Sequence, residues 1–528
     1  AIRDAYGLER LIAEERMAHP VVRGLDQPTA VEARIRLSSF PWVRILDSTQ
    51  RHYVPERSLA HLLGRLEDAG PDDVFAQELS GEFRGMAGAE QLGEDRLRGV
   101  PGSIEEDIEG RPVSPPVPPQ NGEDLRLTID LWLQQQIHER LRGAVEAYPV
   151  CTGGSAVVID VASREVLALV SYPDFDPNPG FEKRRALEML RKTVPFRFRA
   201  VDMSYPPGSI IKPLVLAGAL SDGVVTAGGH TTCTGALFPE TPDRFRCIVP
   251  HGPVDATAAI AKSCNVYFYR TGEAVGIPRL CFWFEAAGLG RVSGTGLREE
   301  FRGRLPRTQS RGQARFAAVG QGELELTPIQ AANMMACVAS GVHQDVTLVC
   351  DDPRERPATS LGVAAEHWAV VREAMWRVVN APGGTAYGSD KTVPPPEPWA
   401  LLGKTGSAEA WARTLDTRYV CEWPDGRREE FIATDRADLR RRLAGQEPYE
   451  VVGWQSHRRW PPPEQMATHA WFAGYLVHRS ALSRLGQRPD RAVALAVVLE
   501  YAGHGGSEAG PVAGDLARMI LEVWPTDR

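Results

Sequence analysis

Four apolar runs constrain the fold of this chain more than any other feature. Ala156-Val-Val-Ile-Asp160 and Val166-Leu-Ala-Leu-Val-Ser171 are short, rich in β-branched residues and separated by the polar turn Ala162-Ser163-Arg164. That pattern reads as a hairpin of buried strands. Ala470 to Val477 and Ala492 to Tyr501 are again strand-like, and Val512 to Trp524 is an amphipathic closing helix. Between the two pairs lies a long, mostly helical middle. Strands contributed from both ends with helices inserted between them predict an α+β domain built on one shared sheet.

The segment ahead of this domain reads differently. Residues 1 to about 120 are rich in Arg and Glu, with helical spacing over Leu8 to Met17 and Ser58 to Leu66 and a short strand at Val43 to Leu46. Gly85 to Arg98 is Gly-rich and acidic. Arg111-Pro-Val-Ser-Pro-Pro-Val-Pro-Pro-Gln-Asn-Gly122 then packs five prolines into a short run, the composition of a boundary or an extended connector. A strand over Leu125 to Ile129 and a helix over Leu131 to Tyr148 lead into the hairpin. The expected division is residues 1–125 and 126–528, with no internal repeat. The net charge of −8 argues against wholesale nucleic-acid binding, because no basic excess exists to neutralise phosphates. No apolar run reaches the length of a membrane span. The chain starts at Ala1 rather than Met, so a signal or anchor segment upstream is expected.

Composition matters most through its lysines. Only six of the 60 basic residues are lysine: Lys183, Lys192, Lys212, Lys262, Lys391 and Lys404. Arginine stays protonated, whereas a buried lysine can give up and take back a proton. In a chain that otherwise uses arginine, each lysine is a candidate for work arginine cannot do. Ser209-Ile-Ile-Lys212 follows the turn Tyr205-Pro-Pro-Gly208, and helical spacing runs from Ile211 to Leu220, with Pro213 admissible only in the first turn. Ser209 thus sits at a helix N-terminus with Lys212 on the same face. A lysine whose pKa is depressed there can accept the serine proton and activate the hydroxyl as a nucleophile. Lys262-Ser263-Cys264-Asn265 follows a helical run over Asp255 to Ala261. Gly403-Lys404-Thr405-Gly406-Ser407 extends the apolar strand Trp399-Ala-Leu-Leu. Lys404 and Thr405 offer a charge and a hydroxyl to a carboxylate, and Gly406 would let a ligand approach the strand closely.

The order Ser-x-x-Lys, Ser-x-Asn, Lys-Thr-Gly is the signature of penicillin-binding proteins and active-site serine β-lactamases. The chain resembles a class B penicillin-binding protein, a peptidoglycan D,D-transpeptidase, over nearly its whole length. Gly153 to Pro173 with Phe175-Asp-Pro-Asn178 is similar to the family's domain-opening hairpin, and Ala318-Val-Gly-Gln-Gly322 with Leu326-Thr-Pro-Ile-Gln330 to its helical-lobe segment. Arg51-His-Tyr-Val-Pro and Gly88-Ala-Glu-Gln-Leu resemble its N-terminal pedestal. Tyr205 to Pro213 and His251-Gly-Pro-Val-Asp resemble the elongation-type members most.

This resemblance implies an antiparallel sheet flanked by helices, an all-helical lobe and an elongated pedestal. It implies Ser209 as the nucleophile on D-Ala–D-Ala, Lys212 as acylation base, Ser263 as proton relay, and Asn265 as the holder of Lys212 and of the substrate amide. Lys404, Thr405, Gly406 and Ser407 would bind the terminal carboxylate, and the amides of Ser209 and Ser407 would form the oxyanion hole. It further implies stem peptides as substrates, β-lactams as inhibitors, a membrane-embedded glycan polymerase docked through the pedestal, and a periplasmic location with an inner-membrane anchor. No cofactor is required for the chemistry. Two departures stand out. Ser407 occupies a position where the family usually has threonine. The stretch Trp411 to Thr468 is longer than a hairpin needs, and its Arg-rich piece Arg436 to Arg442 suggests a helical insertion with a solvated face.

Eight cysteines are present. Cys233, Cys247 and Cys264 cluster with His251 at the spacing Cys-x13-Cys-x3-His-x12-Cys, and Cys264 lies inside the second motif. Three thiolates and an imidazole suit a tetrahedral structural zinc. A Cys233–Cys247 disulfide and free buried thiols are the competing readings. His469 and His504 adjoin strands near the cleft and read as structural. Two other functions use the same fold or chain: a β-lactam-hydrolysing or β-lactam-sensing protein, which would need a general base for water that the motifs do not supply, and a catalytically silent cell-wall scaffold, which the intact serine and lysines disfavour.

Overall fold

The computed structural model describes residues 22–524 except 23–24, 41, 44, 46–50, 55, 69–82, 101, 106–110, 149–150, 179–194, 243, 389, 411–414, 434–438, 441–442, 444, 446–448 and 459–467. Two compact units emerge: Ala1–Glu56, Leu63–Leu125 and Asp176–Pro179 form one, and Arg57–Leu62, Arg126–Phe175 and Gly180–Arg528 the other. The short exchanges at 57–62 and 176–179 have physical causes. Ala60 and Leu62 are fully buried, and the Ser58 carbonyl accepts from Gln134 Nε2 at 2.8 Å. Asn178 accepts the Tyr53 amide at 2.9 Å.

In the first unit the helix Gln27–Leu37 is capped by Asp26, whose carboxylate accepts the Thr29 amide, and it buries none of its side chains. Arg65–Asp68 pairs antiparallel with Phe83–Ala87, followed by the short helices Gly88–Leu92 and Glu94–Leu97. The proline-rich stretch is extended and bridges back, Gln120 to Val100 and Val117 to Ser103. Several local expectations change. The helix expected over Ser58 to Leu66 ends at Leu63, because Gly64 turns at φ +81° and Leu66 enters a strand. A Cβ at Gly64 would lie 1.9 Å from the Ala87 carbonyl oxygen, so a helical continuation with a side chain cannot fit. Val43 and Ile45 are outside any strand, and Leu8 to Met17 lies outside the described residues.

The second unit holds the shared sheet. Its order is Val166–Tyr172, Gly154–Asp160, Ala492–Leu499, Thr468–His478 and Trp399–Glu409, antiparallel throughout. Every residue of Ala492–Leu499 is buried, which explains why this strand reads as a continuous apolar run rather than an alternating one. The helices Leu131–Glu146 and Gly510–Val523 pack on each other and on the sheet, and the wholly buried helix Pro328–Ser340 packs against three of its strands. The strand expected over Leu125 to Ile129 reduces to a single bridge, Leu127 to Val349.

The insertion departs from expectation in kind. The stretch Trp411 to Thr468 carries a three-stranded antiparallel sheet in the order Arg428–Ala433, Leu415–Glu422, Glu450–Arg458. Tyr419, Cys421 and Trp423 alternate inward and meet Leu439 and Leu443 in a small core of their own. That period of two outweighs the arginine-rich segment, whose described helical residues are Leu439 and Arg440.

Candidate active site

The nucleophile turn is clamped on several sides. Gly208 stands at φ +55° and donates its amide to the Gly320 carbonyl at 2.8 Å. The Trp471 indole donates to the Pro206 carbonyl at 3.1 Å. Gly208–Ile211 forms one 3₁₀ turn carrying Ser209, half-buried, and the α-helix Lys212–Ser221 follows with Pro213 in its first turn. A Cβ on Gly208 would sit 3.0 Å from the Ser407 carbonyl oxygen, so the first and third motifs lie against each other.

Lys212 is completely buried and its Nζ donates to three oxygens of the second motif: Ser263 O at 2.9 Å, Ser263 Oγ at 3.2 Å and Asn265 Oδ1 at 2.7 Å. Burial pushes the amine down to about 8, against the opposing pull of the Cys247 and Cys264 thiols. Among the described residues Ser209 Oγ has no hydrogen-bond partner, so its hydroxyl is uncommitted. The second motif is shaped by its flanks. Asp255 caps Ala256–Ala261, accepting the Ala258 amide at 2.7 Å. Ser263 then takes a left-handed conformation at φ +56°, and Cys264 occupies the N-cap position of the helix Asn265–Val275 without a capping hydrogen bond. Such a conformation costs a non-glycine residue about 1–2 kcal/mol and turns the Ser263 side chain and carbonyl onto Lys212. Asn265 Nδ2 donates to the Arg246 carbonyl at 3.0 Å.

The third motif lies on the edge strand Trp399–Glu409, in register with Thr468–His478 so that Lys404 faces Ala473 and Ser407 faces Ala470. Lys404 is fully buried. Its Nζ donates to the Thr405 carbonyl at 2.9 Å, and burial together with the Lys212 charge holds its pKa well below the usual lysine value. Ser407 is exposed, with Oγ accepting the Gly505 amide at 3.1 Å. Thr405 Oγ1 lies 2.7 Å from Thr385 Oγ1. Gly406 differs from its expected use. A Cβ there would lie 2.8 Å from the Pro207 carbonyl, so the glycine admits the nucleophile turn rather than a ligand.

Cys233, Cys247, His251 and Cys264 converge, their ligand atoms all within 4.8 Å of one another, and three of the four residues are buried. The pairing of Thr231–Cys233 with Gly252–Val254, Cys233 opposite Gly252, brings Cys233 beside His251. Cys247 Sγ is 3.4 Å from His251 Nδ1 and accepts the Asn265 amide at 3.2 Å. All three cysteines are free thiols. Hydrogen bonding from Cys264 pulls the Cys247 thiol well below its ordinary value. Zinc–sulfur bonds of about 2.3 Å set tetrahedral ligand separations of about 3.7 Å, which this cluster accommodates.

Sequence reasoning missed Thr385 and Gly505, which sit in no motif, and the roles of Gly320 and Trp471, which lay within the quoted segment Ala318 to Gly322 and the strand Ala470 to Val477; each reaches the site from a distant segment. His469 is buried and accepts the Tyr501 amide at 3.3 Å, while His504 is exposed.

A serine turn, a buried lysine and an edge strand bearing Lys-Thr-Gly on this sheet define a serine-type acyl-transfer fold. Residues 154–423 match the penicillin-binding protein transpeptidase domain, and residues 9–127 match the penicillin-binding protein dimerisation domain. The peptidoglycan D,D-transpeptidase MrdA of Salmonella typhimurium strain SL1344 is 30% identical over 460 residues, covering 79% of this chain and 72% of the relative. Among solved structures, the Helicobacter pylori penicillin-binding protein PBP2 in complex with MreC superposes with a TM-score of 0.70 at 20% identity, covering 96% of this chain and 85% of that one. Pseudomonas aeruginosa PBP2 in complex with WCK 5153 gives 0.63 at 23% identity, over 91% and 94%. The chain belongs to the class B penicillin-binding proteins, which join a dimerisation domain to a transpeptidase domain.

Proposed function

We propose that this chain is an elongation-type peptidoglycan D,D-transpeptidase, working on the periplasmic face of the cell envelope. The observation that carries the mechanism is the fully buried Lys212, held between Ser263 and Asn265 with its pKa brought down to about 8. In its neutral form Lys212 takes the Ser209 proton as Oγ attacks the penultimate D-Ala carbonyl of a donor stem peptide. The oxyanion collects in the amides of Ser209 and Ser407. Ser263, in contact with Lys212, passes the proton to the departing D-Ala amine. The acyl-enzyme remains on Ser209 until an acceptor stem's amine attacks, loses its proton to the same relay and leaves as the cross-link. Lys404, Thr405 and Ser407 hold the terminal carboxylate beside Gly406. β-Lactams enter as donor mimics and stop at the acyl-enzyme.

Cys233, Cys247, His251 and Cys264 fit a structural zinc. Bound there, the metal would supply rigidity and no reactive position, because four protein ligands complete its tetrahedron. The pedestal, residues 1–125, is the non-catalytic part and the surface for a membrane-embedded glycan polymerase; the Helicobacter relative is seen with MreC. No helix among the described residues is long and apolar enough to cross a membrane. The test is covalent labelling: Ser209→Ala abolishes penicillin acylation while its melting temperature stays near that of the parent. Persistent labelling of Ser209→Ala would assign the nucleophile elsewhere.

A further inference from the structure

Both hydroxyls that line the third motif are already engaged from behind. Ser407 Oγ accepts the Gly505 amide at 3.1 Å, and an amide can only donate. The Ser407 hydroxyl hydrogen is therefore not spent on that contact and can be donated to a ligand. Thr405 Oγ1 has one partner of the same kind, Thr385 Oγ1 at 2.7 Å, where either hydroxyl could donate. Thr385 is itself anchored: its amide donates to the Ala261 carbonyl at 3.2 Å, the end of the helix that leads into the second motif. Its carbonyl is packed so closely by Gly506 that a Cβ there would lie 2.4 Å away, and the same Cβ would be 3.8 Å from Thr405 Cγ2. The loop that follows the last strand thus supports both hydroxyls.

We infer that Thr385 is a positioning residue for carboxylate recognition, its hydroxyl donating to Thr405 so that the Thr405 hydrogen points at the substrate anion. This rests on the proposal that the third motif binds a carboxylate. A carboxylate only accepts, so Thr405 must donate to it. Its oxygen is then free to accept from Thr385, and each bond in such a chain strengthens the next. A Thr405 hydrogen turned toward Thr385 would instead present a lone pair to the anion and repel it. Thr385 selects between the two orientations, and through Ala261 it ties carboxylate binding to the second motif.

The test measures acylation efficiency with benzylpenicillin and with its methyl ester, which lacks the negative charge, for the wild-type protein, Thr385→Val and Thr385→Ser. The wild type should prefer the free acid. Thr385→Val should acylate the free acid about three- to tenfold less efficiently, the scale expected for one hydrogen bond between neutral groups, with the ester changed less than about twofold. The loss should fall on binding more than on the acylation step, and Thr385→Ser should restore it. Equal losses on acid and ester would make Thr385 merely structural and overturn the inference, as would an undiminished Thr385→Val. A wild type indifferent to the free acid would overturn the carboxylate reading itself, and that result is read without any variant.

Discussion

Lys212 must be neutral to act and charged a moment later, and its surroundings suit both states. As an ammonium it has three acceptors within 3.2 Å, all from the second motif. Burial nonetheless brings the amine down to about 8, so about a tenth is neutral at pH 7. The sign is definite: the neutral fraction grows with pH, so the acylation rate should climb through a basic limb centred near 8 and level off above it. Stopped-flow acylation from pH 6 to pH 9.5 checks this, and a flat profile would remove Lys212 as the base. Lys212→Arg should lose about a hundredfold or more, close to Lys212→Ala, because arginine holds its proton. At this scale the sequence was informative where chemistry restricts the residue type. Lys212 and Lys404 stood out because so few lysines exist, and both are buried. Thr385 gave no such signal. A threonine among glycines after a helix looks like any loop residue, and only the tertiary fold sets it against Thr405.

Among the elements, the nucleophile turn depends on two backbones meeting without side chains between them. A Cβ on Gly320, at φ +76°, would lie 2.0 Å from the Gly208 carbonyl oxygen. Gly320→Ala must displace the turn that carries Ser209, and acylation should fall at least about a hundredfold, the sensitivity expected when reacting groups shift by an ångström. Gly426→Ala is the control. Gly426 stands at φ +82° with open space around it, so the change costs about 1–2 kcal/mol locally and should leave acylation untouched. A second expectation concerns the Cys/His cluster. Purified protein should carry about one zinc per chain, and Cys247→Ser should lose it. Removing the metal should slow acylation by disordering Asn265, whose amide rests on Cys247 Sγ. Metal-free protein with full acylation would dismiss the site. The cluster of Cys233, Cys247, His251 and Cys264 could be suspected from its spacing, but the choice between a zinc site and a disulfide could not be made there, because the convergence of Cys264 with the other three depends on how the second-motif helix is placed.

Across the whole molecule, the shared sheet was readable because burial on both faces forces continuous apolar strands at each end of the domain. The insertion was misread because an arginine-rich segment outweighed the quieter alternation of Tyr419, Cys421 and Trp423. Its independence follows from its topology. Glu409 and Thr468 already face each other across the parent hairpin, and the insertion buries its own aromatic residues. Replacing 411–467 with a tight two-residue turn should give a folded protein that acylates within about threefold of the parent, since hairpin register is set by the turn and the paired strands. Loss of folding on this deletion would show that the insertion supports the catalytic sheet.

The central claim is that Ser209 forms a lasting acyl-enzyme under the control of Lys212. The most direct measurement is intact mass and peptide mapping after incubation with benzylpenicillin, followed over hours. The account predicts one penicilloyl group per chain, on the peptide containing Ser209, persisting because the three motifs supply no second general base dedicated to activating water. Rapid turnover of penicillin with no retained adduct, or an adduct on any other serine, would contradict it.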